Sequence, residues 1–309
     1  MIIDLPTSDE FVATGKAFLN LAWEEIIRLS TELDRYKEYD NYNDEEEQLR
    51  LEEKYWKNSQ HNLLISIALA QQGTEFMLKG KIAAISPYLL ISDEPGKWIS
   101  GCDTEDKSFA DFKTVDAQDL IRLHDTICSP RLPDSFKTTF KRLRRLRNTT
   151  MHSLDKRATV SVKDVAITIM QISEVFTGPQ SWHCTRKMYF EERDNLFGAY
   201  DINPGALFAQ ETLHVVDKLG LTPAELKKHY GFDPRLRRYF CPECYDSNYY
   251  YKADLAQLSP NTPDSKALRC LSCQTTFKVL RRKCKSRKQC PGNVLADSTY
   301  DHRCLTCFE

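Results

Sequence analysis

The chain has 309 residues, 41% hydrophobic and 28% charged, which is long enough for two domains of ordinary size. Its formal net charge of −1 excludes a polycationic protein, so any contact with nucleic acid must come from local basic patches. No run approaches the roughly 20 apolar residues that cross a bilayer, and the N-terminus lacks the pattern of a signal peptide, which predicts a soluble, cytoplasmic protein without membrane contact.

Helical periodicity dominates residues 1–177, which we predict to form a mainly α domain. Thr7 and Glu10 match a capping box at the start of its first helix. The apolar stripe expected on that helix is Phe11, Phe18, Leu21, Ile26 and Leu29. A second stripe predicts a mostly buried helix that ends before Pro87, and it consists of Leu63, Ile67, Ala70, Met77 and Leu78.

Three further helices are predicted before residue 178, the first of them a short helix over residues 116–127. Phe136, Phe140, Leu143 and Leu146 form a core-facing stripe, and six basic residues between Lys137 and Arg147 fill the rest of that helix. Ser161 and Asp164 predict the capped start of the next helix. Residues 178–235 are predicted to be a helical connector, in which Thr222 and Glu225 cap the last helix and Gly231 ends it.

Residues 236–309 carry eight of the eleven cysteines and are predicted to form a small α+β domain. Cys241 and Cys244 form one CxxC pair, and Cys270 and Cys273 form another. Two such pairs joined by short alternating segments are typical of a zinc ribbon, in which four thiolates hold one structural zinc ion. The sequence therefore predicts a four-cysteine zinc site here.

A second zinc site is predicted from Cys284, Cys290, Cys304 and Cys307. The spacing of these residues is less regular, and two alternatives stay open: His302 replaces one ligand, or some of the four are free thiols. Both zinc ions would be structural because four thiolates saturate the metal, and no catalytic metal is expected.

Basic residues fill the segment between the two predicted zinc sites. Arg281, Arg282, Lys283 and Lys285 are the residues of this segment that we predict to contact nucleic acid. A basic small domain suits a phosphate backbone. A solvated face or a surface for another protein is the alternative.

The segment LRRLRNTTMHS, residues 143–153, holds the candidate catalytic residues Arg147, Asn148 and His152. Asn148 and His152 lie one helical turn apart, so Asn148 can orient the imidazole, and Arg147 lies on the neighbouring strip. A histidine base and an arginine that stabilises phosphoryl charge suffice for cleavage of RNA through its 2′-hydroxyl. Alternatively, His152 only caps the end of the helix.

This segment resembles the signature of the HEPN superfamily, in which an Arg and a polar residue precede a His near the end of a late helix in a bundle. The resemblance covers roughly residues 8–176. It implies a metal-independent endoribonuclease that leaves a 2′,3′-cyclic phosphate and a 5′-hydroxyl, and a homodimer in which two Arg–His pairs share one cleft.

Arg147 would then bind the scissile phosphate of the RNA, while Arg144 and Arg145 bind neighbouring phosphates or are only solvated surface. Such an enzyme fits a defence or toxin-type effector, with a regulatory or antitoxin partner that restrains it. Two rival hypotheses remain. The first is a non-catalytic nucleic-acid-binding protein with the helical bundle as scaffold, and the second is a regulatory protein.

Overall fold

Helices make up most of the chain in the computed structural model, and a small sheet lies near the C-terminus. This arrangement confirms the predicted fold class, mainly α with a small C-terminal α+β domain. The chain divides into two compact units, Met1–Gly178 and Pro179–Glu309. The structure describes residues 1–39, 45–152, 159–192, 203–247, 253–285 and 289–309.

The first unit is a helical bundle with a short two-stranded sheet. Its helices are α1 (Ser8–Tyr39), α2 (Glu45–Asn58), α3 (Gln60–Ala83), α4 (Ala117–Ile127), α5 (Asp134–His152) and α6 (Val162–Thr177). The strands β1 (Ile2–Ile3) and β2 (Lys107–Ser108) pair in parallel. Helix α3 is central, because α1, α4, α5 and α6 all pack against it.

Helices α1 and α3 run antiparallel and approach each other closely through glycine. A Cβ added to Gly73 would lie 2.8 Å from the carbonyl oxygen of Gly15, and one added to Gly15 would lie 2.6 Å from Cγ of Met77. Real Cβ atoms do not come so near, so the two backbones meet at this distance only because both positions lack a side chain.

The predicted caps and most of the predicted apolar stripes are present. The Thr7 and Glu10 side chains bond each other's backbone N–H, and Ser161 and Asp164 do the same at the start of α6. The predicted stripe of α1 was partly wrong, because Leu21 is 46% exposed. The helix instead buries Trp23, together with Leu19 and Ala22, on the side that faces the bundle.

The second unit combines helices with the cysteine-rich segment. Its helices are α7 (Ser181–Glu192), α8 (Pro204–Asp217), α9 (Pro223–Tyr230) and the short α10 (Pro242–Ser247). The capping box of Thr222 with Glu225 and the left-handed Gly231 bound α9, as predicted. Residues 179–235 of the predicted connector thus belong to the same compact unit as the cysteines. The buried side chain of Gln257 ties the two parts together, because it bonds both N–H and C=O of Asp233.

The sheet of the second unit is antiparallel. Its strands β3 (Ala256–Leu258), β4 (Ala267–Cys270), β5 (Thr276–Leu280) and β6 (Leu295–Ala296) are neighbours in chain order. The alternating segments that predicted strands are residues 248–259 and 275–282, and they contain β3 and β5. Strands β4 and β6 had no clear sequence signal. Alternate residues such as Leu268, Phe277 and Val279 face a core that also includes Cys241 and Cys270.

Candidate functional site

Helix α5 presents the candidate catalytic residues of the first unit. Its face toward the core buries Phe136, Phe140 and Leu143, in agreement with the predicted stripe. Lys137 is held by Asp125 at 2.8 Å, so it is part of the fold rather than of the open basic face. The remaining basic residues of α5 lie further along the helix, toward the C-terminal end where Arg147, Asn148 and His152 lie.

An open groove follows this basic side of α5. It has a volume of about 500 Å³ and is lined by Lys141, Arg144, Arg145, Asn148 and Thr149. The first four of these residues follow the i, i+3, i+4, i+7 spacing of one helix face. The groove therefore offers three cations and no carboxylate among the described residues that line it, which suits the phosphates of a nucleic-acid strand. We call it the α5 groove.

Asn148, which lines the end of this groove, interacts directly with Arg147, which does not line it. Nη1 of Arg147 donates a hydrogen bond to Oδ1 of Asn148 at 3.3 Å. The oxygen of Asn148 is thus directed to Arg147, and its amide nitrogen is the group that could hold an imidazole. The backbone of α5 extends to His152, but the side chain of His152 lies outside the described residues, so the predicted contact between Asn148 and His152 stays a prediction.

Four cysteines of the second unit converge into a first cluster. The chain brings them together because Cys241 and Cys244 flank the start of α10, while Cys270 ends β4 and Cys273 follows in the turn. The Sγ atoms of Cys241 and Cys273 are 3.7 Å apart, and those of Cys244 and Cys270 are 3.9 Å apart. All four sulfur atoms lie within 4.8 Å of one another.

The last four cysteines form a second cluster of the same dimensions. The Sγ atoms of Cys284 and Cys307 are 3.8 Å apart, as are those of Cys290 and Cys304. His302, the alternative ligand, does not belong to this cluster. Its Nδ1 lies 3.4 Å from the carbonyl oxygen of Ala296. The irregular spacing in the sequence therefore still produces a site with four sulfur atoms.

The geometry of both clusters fits a tetrahedral metal site. Four thiolates at about 2.3 Å from a zinc ion would be separated from one another by about 3.8 Å, which agrees with the four distances above. A disulfide would instead bring two sulfur atoms to about 2.05 Å, and all eleven cysteines are free thiols. Hydrogen bonds from the neighbouring thiols, and then burial, raise the pKa of Cys270. A cation is what would let all four thiols ionise together. The eight cysteines could therefore hold two metal ions.

The basic residues between the cysteine clusters differ in exposure. Arg282, Lys283 and Lys285 are exposed, as a nucleic-acid surface requires. Arg281 is only half-buried, but its Nη1 is buried and has no hydrogen-bond partner among the residues that the structure describes. The four predicted contact residues are therefore not equivalent.

Two residues of α7 that the sequence did not single out contact the first cluster. Nε2 of the buried His183 donates to the carbonyl oxygen of Leu271 at 2.7 Å, and Nζ of Lys187 donates to that of Cys273 at 3.3 Å. Both acceptors lie in the turn between Cys270 and Cys273. No spacing rule could have found these contacts, because they join residues more than 80 positions apart.

Among the residues that the structure describes, no helix combines the length and apolar composition that crossing a membrane requires.

Comparisons with known proteins identified no relative of this chain. No family model matches the chain, and neither the curated proteins nor the solved structures give a significant match.

Proposed function

We propose that the protein is an endoribonuclease of the HEPN type, with its site at the C-terminal end of α5. The observation that carries this proposal is the α5 groove, in which three cations lead to Asn148 and its partner Arg147. An RNA strand that binds Lys141, Arg144 and Arg145 through its phosphates would deliver one phosphodiester to Arg147. Residue His152, one turn after Asn148, supplies the imidazole that acts as the general base.

The proposed reaction needs a base, an acid and a cation. His152 takes the proton of a ribose 2′-hydroxyl, the 2′-oxygen forms a bond to the adjacent phosphorus, and the bond from phosphorus to the 5′-oxygen breaks. A second acid gives a proton to the departing 5′-oxygen. The products are a 2′,3′-cyclic phosphate and a 5′-hydroxyl. Arg147 stabilises the charge on the phosphoryl oxygens, since its guanidinium stays protonated and can donate two parallel hydrogen bonds.

The second acid is proposed to be His152 of another copy of the chain, so that the enzyme acts as a homodimer. Coexpression of wild-type chain with an equal amount of the His152→Ala chain tests this. If each site needs two intact copies, the total activity falls to about a quarter of the activity of the same amount of wild-type protein. A fall to about half would show that one chain suffices.

In the second unit, we propose that both cysteine clusters hold structural zinc. We further propose that the cysteine-rich domain binds nucleic acid or recognises a signal that activates the enzyme. The four-sulfur geometry favours zinc, and four thiolates leave no open position for catalysis. Arg282, Lys283 and Lys285 supply the exposed charge for a phosphate backbone. Reduced thiols fit the cytoplasm, where a defence or toxin-type nuclease would need a regulatory or antitoxin partner.

The rival candidate is a nucleic-acid-binding protein without catalysis. One observation favours it: Arg147 does not line the α5 groove, and the three cations that do could bind phosphate without it. Binding and catalysis predict different effects of the same variants, because Lys141 and Arg145 would matter to both whereas His152 would matter only to cleavage.

The test is cleavage of a labelled RNA by the full chain during brief exposure to excess EDTA. The wild type should cut RNA, and Arg147→Ala and His152→Ala should each lower the rate at least about a hundredfold. Arg142→Ala is the matched control, since Arg142 is an exposed basic residue of α5 that does not line the groove. Equal rates for the wild type and His152→Ala would remove the catalytic proposal and leave the binding one.

A further inference from the structure

A second groove lies in the C-terminal unit, and no cysteine is among the described residues that line it. It has a volume of about 290 Å³ and is bounded by the end of α9, the segment that follows it, and the turn between β3 and β4. Small-molecule sites usually measure roughly 300–1,000 Å³, and this groove is close to the lower limit of that range, which suits only a small ligand. We call it the α9 groove.

Two cations from separate elements line this groove. Lys227 of α9 and Arg269 of β4 both line it and both are exposed. Neither forms a hydrogen bond through its side chain or an ion pair with any residue in the part of the chain that the structure describes. Two positive charges from separate elements therefore point to an anion as the ligand.

The single acidic side chain among the described residues lining the groove does not cancel this charge. Both oxygens of Asp233 are taken by Arg235, at 2.8 Å from Nε and 2.7 Å from Nη2. Asp233 itself is buried and Arg235 is exposed. The ion pair of Asp233 and Arg235 has no net charge, so the net charge beside the ligand stays positive.

The rest of the lining is suited to a flat or apolar body. Leu236, Leu258 and Leu271 supply apolar surface, and Tyr230 lies buried beneath. Ser259 and Asn261, in the turn after β3, add a hydroxyl and an amide that can fix the orientation of a polar ring. A bare inorganic anion would leave this surface unused.

We propose that the α9 groove binds a phosphomonoester on a planar body, as in a nucleoside monophosphate or the terminal nucleotide of an RNA. A phosphomonoester carries a charge of about −1.5 to −2 at pH 7, which matches Lys227 and Arg269 together better than a carboxylate would. A guanidinium also binds phosphate in bidentate fashion. The volume accommodates one nucleotide. This site is independent of the α5 groove and of any cleavage.

Calorimetric titration of the full chain tests the proposal and separates the two sources. The probes are the four nucleoside 5′-monophosphates, adenosine, inorganic phosphate, and 2′-O-methyl oligonucleotides with or without a terminal phosphate. Adenosine and inorganic phosphate should each bind at least about tenfold more weakly than AMP, because each lacks half of the recognised chemistry. If only terminally phosphorylated oligonucleotides bind, the source is an RNA end. If mononucleotides bind equally well, the source is the free nucleotide.

Variants assign the binding to this groove. Lys227→Gln and Arg269→Gln should each weaken binding about tenfold, and Asn261→Trp should abolish it by filling the space. The matched controls are the exposed neighbours Lys228→Gln, Lys278→Gln and Thr262→Trp, which lie outside the groove and should change affinity less than twofold. Absence of binding by every phosphorylated probe at millimolar concentration would overturn the proposal, as would equal losses in the control variants.

Discussion

His183 shows how one buried side chain stabilises the second unit. Its ring packs against Phe208 in a tilted arrangement and against Tyr230 edge to face, and it donates to the carbonyl oxygen of Leu271 in the turn of the first cysteine cluster. Burial lowers the pKa of His183 from 6.5 to about 4. The imidazole is therefore neutral in the folded protein at a pH where it would be protonated in the unfolded chain.

This shift predicts a loss of stability in acid. Since the unfolded chain takes up a proton at His183 near pH 6.5 and the folded chain only near pH 4, the free energy of unfolding falls as pH drops through that window. The His183 contribution is about 2 kcal/mol between pH 7 and pH 5. Urea titrations at several pH values should show a steeper pH dependence for the wild type than for His183→Gln, which cannot titrate. Parallel curves would contradict the assignment.

Single residues were predictable from the sequence where the chemistry depends on local spacing. The eight cysteines could be identified as metal ligands because most of them lie in CxxC pairs, a spacing that is typical of zinc sites. Asn148 was expected to orient the imidazole of His152, which stays a prediction, and the structure adds that its oxygen accepts a hydrogen bond from Arg147. Arg281 could not be distinguished from Arg282, because burial of one guanidinium nitrogen depends on tertiary packing. The sequence did not predict Lys141 as a site residue, and only the structure shows that it lines the α5 groove.

At the scale of elements, the approach of α1 to α3 depends on two glycines. Gly73→Ala would place a methyl group 2.8 Å from the backbone oxygen of Gly15, and backbone cannot yield as a flexible side chain does. We expect a loss of about 1–3 kcal/mol in the free energy of unfolding, as for other overpacked cores.

Gly96→Ala is the matched control, because a Cβ at Gly96 would have no atom within 4 Å. Chemical denaturation followed by circular dichroism measures both variants. The close helix contact would be contradicted if Gly73→Ala and Gly96→Ala were equally stable.

Helix starts were the elements that the sequence predicted best, since a capping box needs only residues three apart. The boxes at Thr7, Ser161 and Thr222 are all present. Strand β4 was missed because its pairing with β3 and β5 depends on partners that local alternation does not reveal. The glycine pair of α1 and α3 was also missed, because its role appears only when two distant segments meet.

For the whole molecule, the two units should respond differently to loss of metal. Mass spectrometry under native conditions should give two zinc ions per chain, and Cys270→Ser or Cys304→Ser should each remove one. Cys184→Ser is the control, since Cys184 is an exposed thiol outside both clusters. A wild-type protein with no bound metal, or equal metal content in all three variants, would contradict the two sites.

Removal of zinc should unfold the C-terminal sheet while leaving the first unit helical, because all eight ligands lie in the second unit. Limited proteolysis after prolonged chelation should then leave a fragment close to residues 1–178. The matched sample is the same protein with zinc restored. Resistance of the second unit to proteolysis after complete metal loss would contradict a structural role.

The sequence predicted two boundaries, one after residue 177 and one after residue 235, where the composition changes. The structure divides into two compact units after Gly178. Contacts such as His183 with Leu271 and Gln257 with Asp233 join the helices to the cysteine-rich segment. These hydrogen bonds join residues that are far apart in the sequence, and they depend on tertiary packing, which amino-acid composition does not predict.

The chemistry of the RNA ends is the most direct test of the proposed ribonuclease. A short RNA cut by the full chain in brief EDTA should yield fragments that mass spectrometry identifies as 2′,3′-cyclic phosphates and 5′-hydroxyls. His152→Ala should yield none above background, while Arg142→Ala should give the wild-type products. Fragments that begin with a 5′-phosphate, or identical products from wild type and His152→Ala, would contradict cleavage at the end of α5.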